Sequence, residues 1–195
     1  MSSTEEIALF PLNTLLVPEM TLPLQIFEQR YLQLIKDCVK NGSVFGVVPI
    51  RDGNEVGAAA MIYNVGVVAN IIDWSQGENG LLHIKVLGSR KFRVLKTWVE
   101  DNQLMRAQVE YLASEEIIAI DDQYDGLRAI YDSLATHPQI QLLKLPSIQS
   151  VNQLGWFLTL LLPISRAEQV ELIKLSDPVE RVERISDQID RISRH

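Results

Sequence analysis

The sequence predicts an α+β protein in which a β lobe, residues 1–113, precedes a helical lobe, residues 114–195. Two observations predict it. Up to Leu112, short β-branched and aromatic stretches alternate between turn residues, the pattern of several short strands. Beyond Ser114, apolar residues recur at three-and-four spacing behind helix-capping sequences. The acidic stretch from Ser114 to Asp122 separates the two patterns. A chain of 195 residues, 47% hydrophobic and 22% charged, suffices for one large domain or two small lobes.

The first lobe contains one predicted helix. Glu28 to Lys40 places Tyr31, Leu34, Ile35, Cys38 and Val39 on one side, and Asn41-Gly42 supplies a left-handed stop. Strands are expected at Val44–Ile50, Tyr63–Ile72, Leu81–Leu87, Arg90–Val99 and Leu104–Tyr111. Turns are expected at Asp52-Gly53-Asn54, Ser75 to Gly80, Gly88-Ser89 and Asp101-Asn102.

In the second lobe Asp121 or Asp122 caps a helix carrying Leu127, Ile130, Tyr131 and Leu134, which ends before His137-Pro138 because proline disfavours helix at the residue before it. Ser150-x-x-Gln153 and Ser165-x-x-Glu168 are capping boxes that open two further helices. Asp177-Pro178-Val179-Glu180 starts the last one. There Val182, Ile185, Ile189 and Ile192 form an apolar seam, and Arg181, Glu183, Arg184 and Asp187 are expected to face water. That seam either closes the bundle or supports self-association.

Composition narrows the function. Net charge is −7, with −2 on residues 1–112 and −5 on residues 113–195, which counts against nucleic acid as a partner. Cys38 is the one cysteine, so no internal disulfide and no multi-cysteine zinc site can form. No apolar run approaches the roughly 20 residues of a membrane span, and the polar start is unlike a secretory signal, so the expected location is cytoplasmic.

Ordered motifs then carry a resemblance. Leu9-Phe10-Pro11-Leu12, Val17-Pro18-Glu19-Met20-Thr21-Leu22-Pro23-Leu24 and Ile26-Phe27-Glu28-Gln29-Arg30-Tyr31 open the chain. Phe45-Gly46-Val47-Val48, Val65 to Ile71 and Gly88 to Val94 follow, then Leu160-Leu161-Leu162-Pro163, Gln169-x-x-Leu172 and Asp177-Pro178-x-x-Arg181. Together they resemble the amino-terminal domain of the Lon protease family over nearly the whole chain. Glu19, Gln25 and Gln29 depart from the glycine, histidine and proline usual there. The resemblance implies a PUA-like pseudo-barrel of about six strands with one inserted helix, followed by a helical bundle. It also implies a polypeptide-binding module that recognises client proteins, with an adaptor role toward a separate ATP-dependent protease as an extension.

No stretch matches the phosphate-holding Gly-x-x-x-x-Gly-Lys-[Ser/Thr] loop of an ATPase, and the Ser-Lys peptidase domain of full-length family members has no counterpart, so the expectation is a non-catalytic chain without cofactor or metal. His83, His137 and His195 are scattered, giving no triad or metal-ligand spacing. Cys38 follows Asp37 within an apolar periodicity and reads as a small buried hydrophobe. Glu28 sits where the helix dipole favours it, and Arg30 pairs locally.

Arg90, Lys91, Arg93 and Lys96 form a basic run, with Lys91 and Arg93 on one solvated face; this supports the alternative of a PUA-like RNA-binding module. A hydrolase with an unrecognised site is a second alternative. Trp74, in the polar turn from Ile72 to Gly80, either anchors a partner or folds back over the barrel end. Met20, between Pro18 and Pro23, is expected to add an adaptable apolar contact, whereas Trp98 and Trp156 are expected in the core.

Overall fold

A computed structural model describes residues 4–57, 60–77, 81–141 and 143–193. The chain divides into two compact units, Met1–Leu112 and Ala113–His195.

In the first unit β1 (Thr4–Leu12) is exposed at its start and buried throughout from Ile7. A strand buried on both faces shows no alternation, which is why periodicity alone did not reveal it. Its neighbours are β7 (Met105–Tyr111), antiparallel, and β3 (Phe45–Asp52), parallel. β5 (Val65–Gln76) and β6 (Leu82–Val99) complete a ring of pairings in the order β1, β7, β6, β5, β3 and back to β1. Two strands lie off that ring. β2 (Thr21–Ile26) pairs with the first part of β6, and the two-residue β4 (Met61–Ile62) pairs with β3. Among the described residues the architecture is α+β with seven strands, mostly antiparallel, and is not a regular barrel. Phe92 is completely buried and clusters with Ile7, Leu9, Val48, Val68 and Val109.

One expected turn is absent. Gly88-Ser89 does not separate two strands, because β6 runs unbroken through both. Gly88 is there for proximity. Its N–H donates to the Met20 carbonyl at 2.9 Å, its carbonyl accepts from the Glu19 N–H at 2.8 Å, and a Cβ would stand 2.2 Å from the Val17 carbonyl oxygen. The backbone approaches too closely for any side chain.

α1 (Gln29–Asn41) ends as predicted, at Gly42 in the left-handed conformation with φ 63°. Tyr31, Leu34, Ile35 and Cys38 are buried, but Val39 is 44% exposed rather than enclosed. Glu28 lies at the N-cap of α1 and pairs with Arg30 at 2.9 Å. Arg30 also donates to the Gln103 carbonyl at 3.0 Å, tying the helix start to the β6–β7 turn.

In the second unit the Asp121 carboxylate accepts from the Gln123 N–H and opens a single 3-10 turn, Asp122–Tyr124, which leads into α2 (Asp125–Ala135). A short helix not anticipated from periodicity, α3 (Pro138–Gln141), begins at the proline expected to end its predecessor. α4 (Val151–Leu161) is capped by Ser150 and forms the centre of the unit, with Leu154, Phe157 and Leu158 fully buried and Trp156 in the core. α5 (Arg166–Lys174) opens with a complete Ser165–Glu168 capping box. In α6 (Pro178–Ser193) Asp177 accepts from the Val179 N–H at 2.8 Å.

Arg181 does not face water. It is 0% exposed, forms a bidentate pair with Glu115, and its Nε donates to the Leu172 carbonyl at 3.1 Å. Asn152 completes the network, donating to Glu115 and to the Glu116 carbonyl while accepting from the Ile118 N–H. The segment between the two patterns is thereby pinned to the bundle by satisfied buried polar groups.

Candidate functional site

The site begins with a mismatch in strand length. β3 starts at Phe45, opposite Ala69 of β5 and one residue before Gly46 meets Leu9 of β1. Both neighbours extend past that start. Thr4–Ala8 pairs with β7 alone, and Asn70–Gln76 pairs with β6 alone. The chain fills the space between them with the Gly42–Val44 link from α1. Two clefts result, sharing Cys38, Gly42, Ser43 and Val44 as a common wall.

The β5 cleft, about 350 Å³, runs from Asn70 to Trp74 on one side and along Cys38 and Val39 on the other. Its apolar groups are unusually accessible: Trp74 is 57% exposed and Ile72 50%, beside the exposed Val39. A register shift between Ile71 and Asp73 inserts an extra residue there. Such a bulge increases local twist and redirects side chains at sheet edges. Asn70 anchors the base of this segment, its side-chain amide donating to Ser89 Oγ at 2.8 Å, and Ser89 Oγ donates to the Val68 carbonyl at 3.3 Å.

Backbone direction follows from the hairpin tip. The Gly77 N–H donates to the Leu81 carbonyl at 2.8 Å, and hydrogen-bonded and non-bonded pairs alternate in an antiparallel ladder. Ser75 opposite His83 then belongs to the bonded set, whereas Trp74 and Gln76 direct their N–H and C=O groups away from β6. The edge therefore offers a bulky aromatic and outward-directed backbone groups at the same residue, unpaired among the described residues. Such an edge accepts a further strand. The rest of the predicted turn, Glu78 to Gly80, lies outside the described residues.

Met20 does not join Trp74. It is 1% exposed, enclosed with the β1–β2 connection, because its carbonyl is held by Gly88 and its side chain points into the core. Of the two expected contact residues only Trp74 is on the surface. Val39 and Ile72 were not anticipated. Helical spacing had assigned Val39 to the buried side, and the polar residues Asp73, Ser75 and Gln76 had hidden the continuation of β5. Trp98 is half-buried rather than in the core.

A neighbouring cleft of about 360 Å³ brings Asp73, Ser75 and His83 together, the residue types of a nucleophilic triad. No hydrogen bond joins them; Asp73 lies opposite Lys85 in the register, and the cleft opens on an exposed strand face. The arrangement lacks the base–nucleophile contact of the template. His137 is exposed, and His195 lies outside the described residues. No group of three potential metal ligands occurs among the described residues. Burial, with the Asp37 charge adding to it, pushes the Cys38 thiol above its ordinary range despite a hydrogen bond with Ser43, so it is a poor nucleophile.

The basic run does not form one face. Lys91 is buried, contrary to expectation, although neighbouring Arg90 and Arg93 are exposed. Arg90 stacks over the Tyr111 ring at 4.1 Å, and Arg93 lies 3.7 Å from Glu110. No helix among the described residues is long and apolar enough to cross a membrane.

Comparison with known proteins adds a consistent result. The family described as the ATP-dependent protease La (LON) substrate-binding domain matches residues 6–191. The Lon protease of Dictyoglomus thermophilum is 22% identical over 96% of this chain and 24% of its own length. That of Anaeromyxobacter dehalogenans is 32% identical over 56% of this chain and 13% of its own. The chain thus spans a quarter or less of these curated relatives. The crystal structure of a Lon N-terminal domain protein from Xanthomonas campestris superposes with a TM-score of 0.76 and 30% identity, covering 94% of this chain and 98% of that one. The N-terminal domain of Mycobacterium avium complex Lon protease, at 14% identity, superposes at 0.60 and shares the fold.

Proposed function

Because this chain belongs to the Lon substrate-binding domain family, we propose that it binds client polypeptides, taking an extended apolar segment as an added strand along Asn70–Gln76 of β5. One observation carries the reading: Trp74 stands 57% exposed on a strand edge whose neighbour, β3, stops short of it. Main-chain hydrogen bonds along the edge would supply sequence-tolerant affinity, and Ile72, Val39 and Trp74 would select apolar side chains. Sequence tolerance suits a module that meets many clients. The family description and the names of the relatives further suggest that the held segment is passed to an ATP-dependent protease, which this chain would serve as an adaptor. The basic run gives no contiguous face in favour of RNA.

The test is fluorescence anisotropy of the purified chain against a labelled, permanently unfolded polypeptide, with a labelled single-stranded RNA in parallel at physiological salt. The expected result is saturable polypeptide binding without RNA binding. Gln76→Pro removes an outward N–H without touching the bonded Ser75–His83 pair, so it should weaken polypeptide binding while the fold persists. Salt-sensitive RNA binding without polypeptide binding would sink the proposal.

A further inference from the structure

The helical unit contains a cleft of a different kind. α2 and α6 both pack on α4, and between them lies a groove of about 470 Å³. Leu127 and Ile130 of α2 and Val179, Val182 and Ile189 of α6 supply its apolar lining. The apolar seam of α6 also outruns its packing. Val182 and Ile185 are buried, Ile189 is half-buried and Ile192 is 41% exposed. The charged side chains lining the groove are Glu183 and Asp190, both carboxylates.

We propose that this groove docks an amphipathic helix whose flanks carry lysine or arginine, presented by a protein partner rather than by the client segment. Two physical arguments select that occupant. The walls are helices, whose backbone groups are bonded internally, so an extended guest would bury its own N–H and C=O groups without partners. A helix arrives with those groups already satisfied and lays apolar side chains into the groove at three-and-four spacing.

Charge decides the flanks. Residues 113–195 carry 8 basic and 13 acidic residues, so a second copy of this unit would bring like charge to the rim. Arg184, the cation beside Glu183 in sequence, is already bonded to Glu180 at 2.6 Å. At the groove end burial, reinforced by the charges of Asp121, Glu183 and Asp177, holds the Tyr124 hydroxyl above its ordinary range, as an acidic surface would. A cationic helix neutralises that field, and a neutral or acidic one does not.

The probe is a labelled leucine–lysine amphipathic helix of about five turns, compared with its leucine–glutamate twin on the full chain. The lysine form should bind saturably and lose affinity as salt rises, and the glutamate form should not bind. Glu183→Lys with Asp190→Lys should weaken binding roughly tenfold. The same change in net charge at exposed carboxylates of this unit that do not line the groove, Asp132→Lys with Glu171→Lys, should alter it by no more than about twofold. Leu127→Asp should abolish it, with circular dichroism checking that α2 persists; the exposed charge reversals test the idea without threatening the core. Trp74→Ala should change nothing here, so failure of this proposal and failure of the strand-edge reading are separable. Equal binding of both helices, or equal loss from the reversals outside the groove, would overturn the assignment. So would a concentration-dependent dimer abolished by Leu127→Asp, which would give the groove to a second copy.

Discussion

Trp74→Ala is the substitution that bears most directly on the strand-edge site, and its size can be worked from exposure. A tryptophan buries up to about 250 Å² when enclosed. With 57% of the residue exposed in the free chain, about 140 Å² remains to be covered by a client. At about 25 cal/mol per Å² that is roughly 3.5 kcal/mol of transfer free energy. Binding realises only part, because the ring and the guest must be ordered at about 0.5–1.5 kcal/mol per immobilised side chain. A net loss near 2 kcal/mol remains, or roughly a thirtyfold rise in Kd. Stability should change little, about 0.5 kcal/mol or less, since most of the residue is exposed. Anisotropy with an unfolded polypeptide measures the first quantity and a urea melt the second. Intrinsic fluorescence gives an independent reading, since Trp156 is buried and Trp98 half-buried. Binding should therefore shift mainly the Trp74 emission toward the blue, and the shift should vanish in Trp74→Phe. A Kd unchanged within about twofold, at unchanged stability, would refute the assignment of Trp74 as the anchor.

Other expectations concern the frame that holds the edge in place. Gly88→Ala puts a methyl group 2.2 Å from the Val17 carbonyl, so it should cost about 1–3 kcal/mol in urea unfolding and loosen polypeptide binding through β6. Arg181→Met strands the Glu115 carboxylate in a buried site and should cost about 3–5 kcal/mol. Adding Glu115→Gln should recover much of that loss, whereas an undiminished deficit in the double variant would deny that the unpaired charge is the cause. The hydroxyls of Tyr111 and Tyr131 are both pushed up to about 12, chiefly by burial, with a hydrogen bond and charge from Glu5 adding at Tyr111 and the charge of Asp132 at Tyr131. The native state therefore keeps protons that the unfolded chain releases near the ordinary value of 10.0. The stability these groups give is present below that value and is lost as pH rises through about 12. A spectrophotometric tyrosinate titration should show two late tyrosines whose release accompanies alkaline unfolding.

Local signals in the sequence located most elements because those elements are decided locally. Gly42 stops α1 through its own left-handed backbone, and Ser165 and Glu168 cap α5 within one turn. The errors occur where a residue answers to something distant in sequence. Gly88 resembles a turn until Val17 is brought against it. Arg181 lies among polar residues of a surface helix, yet its ligands Glu115 and the Leu172 carbonyl come from other segments. Lys91 shares its strand with the exposed Arg90 and Arg93 yet is buried, since what covers a strand face comes from elsewhere in the chain. Met20 sits in a connection between prolines, which reads as surface, and is enclosed once Gly88 binds its carbonyl.

The exposed edge is the extreme case of this dependence. Trp74 was legible as an aromatic in a polar setting, but its two readings, anchor or cap, could not be separated from its neighbours in sequence. The start of β3 bears on that choice, since it leaves Trp74 exposed on an edge that β3 does not cover. Had β3 started a few residues earlier, it would have continued past Ala69 and paired with Asn70–Gln76, closing the edge. It cannot, because Gly42 ends α1 in the left-handed conformation and only Ser43 and Val44 remain before Phe45. A helix stop thus leaves the edge of another strand unpaired, thirty or so residues away, with the same helix supplying Val39 to the cleft wall. Extending this link should test the logic directly. Extra β-forming residues between Ser43 and Val44 that can pair with β5 should occupy the edge and compete with client polypeptide, while a flexible Gly-Ser insertion of equal length should leave binding intact. Equal loss from both insertions would mean that the link itself, rather than the free edge, is what the client contacts.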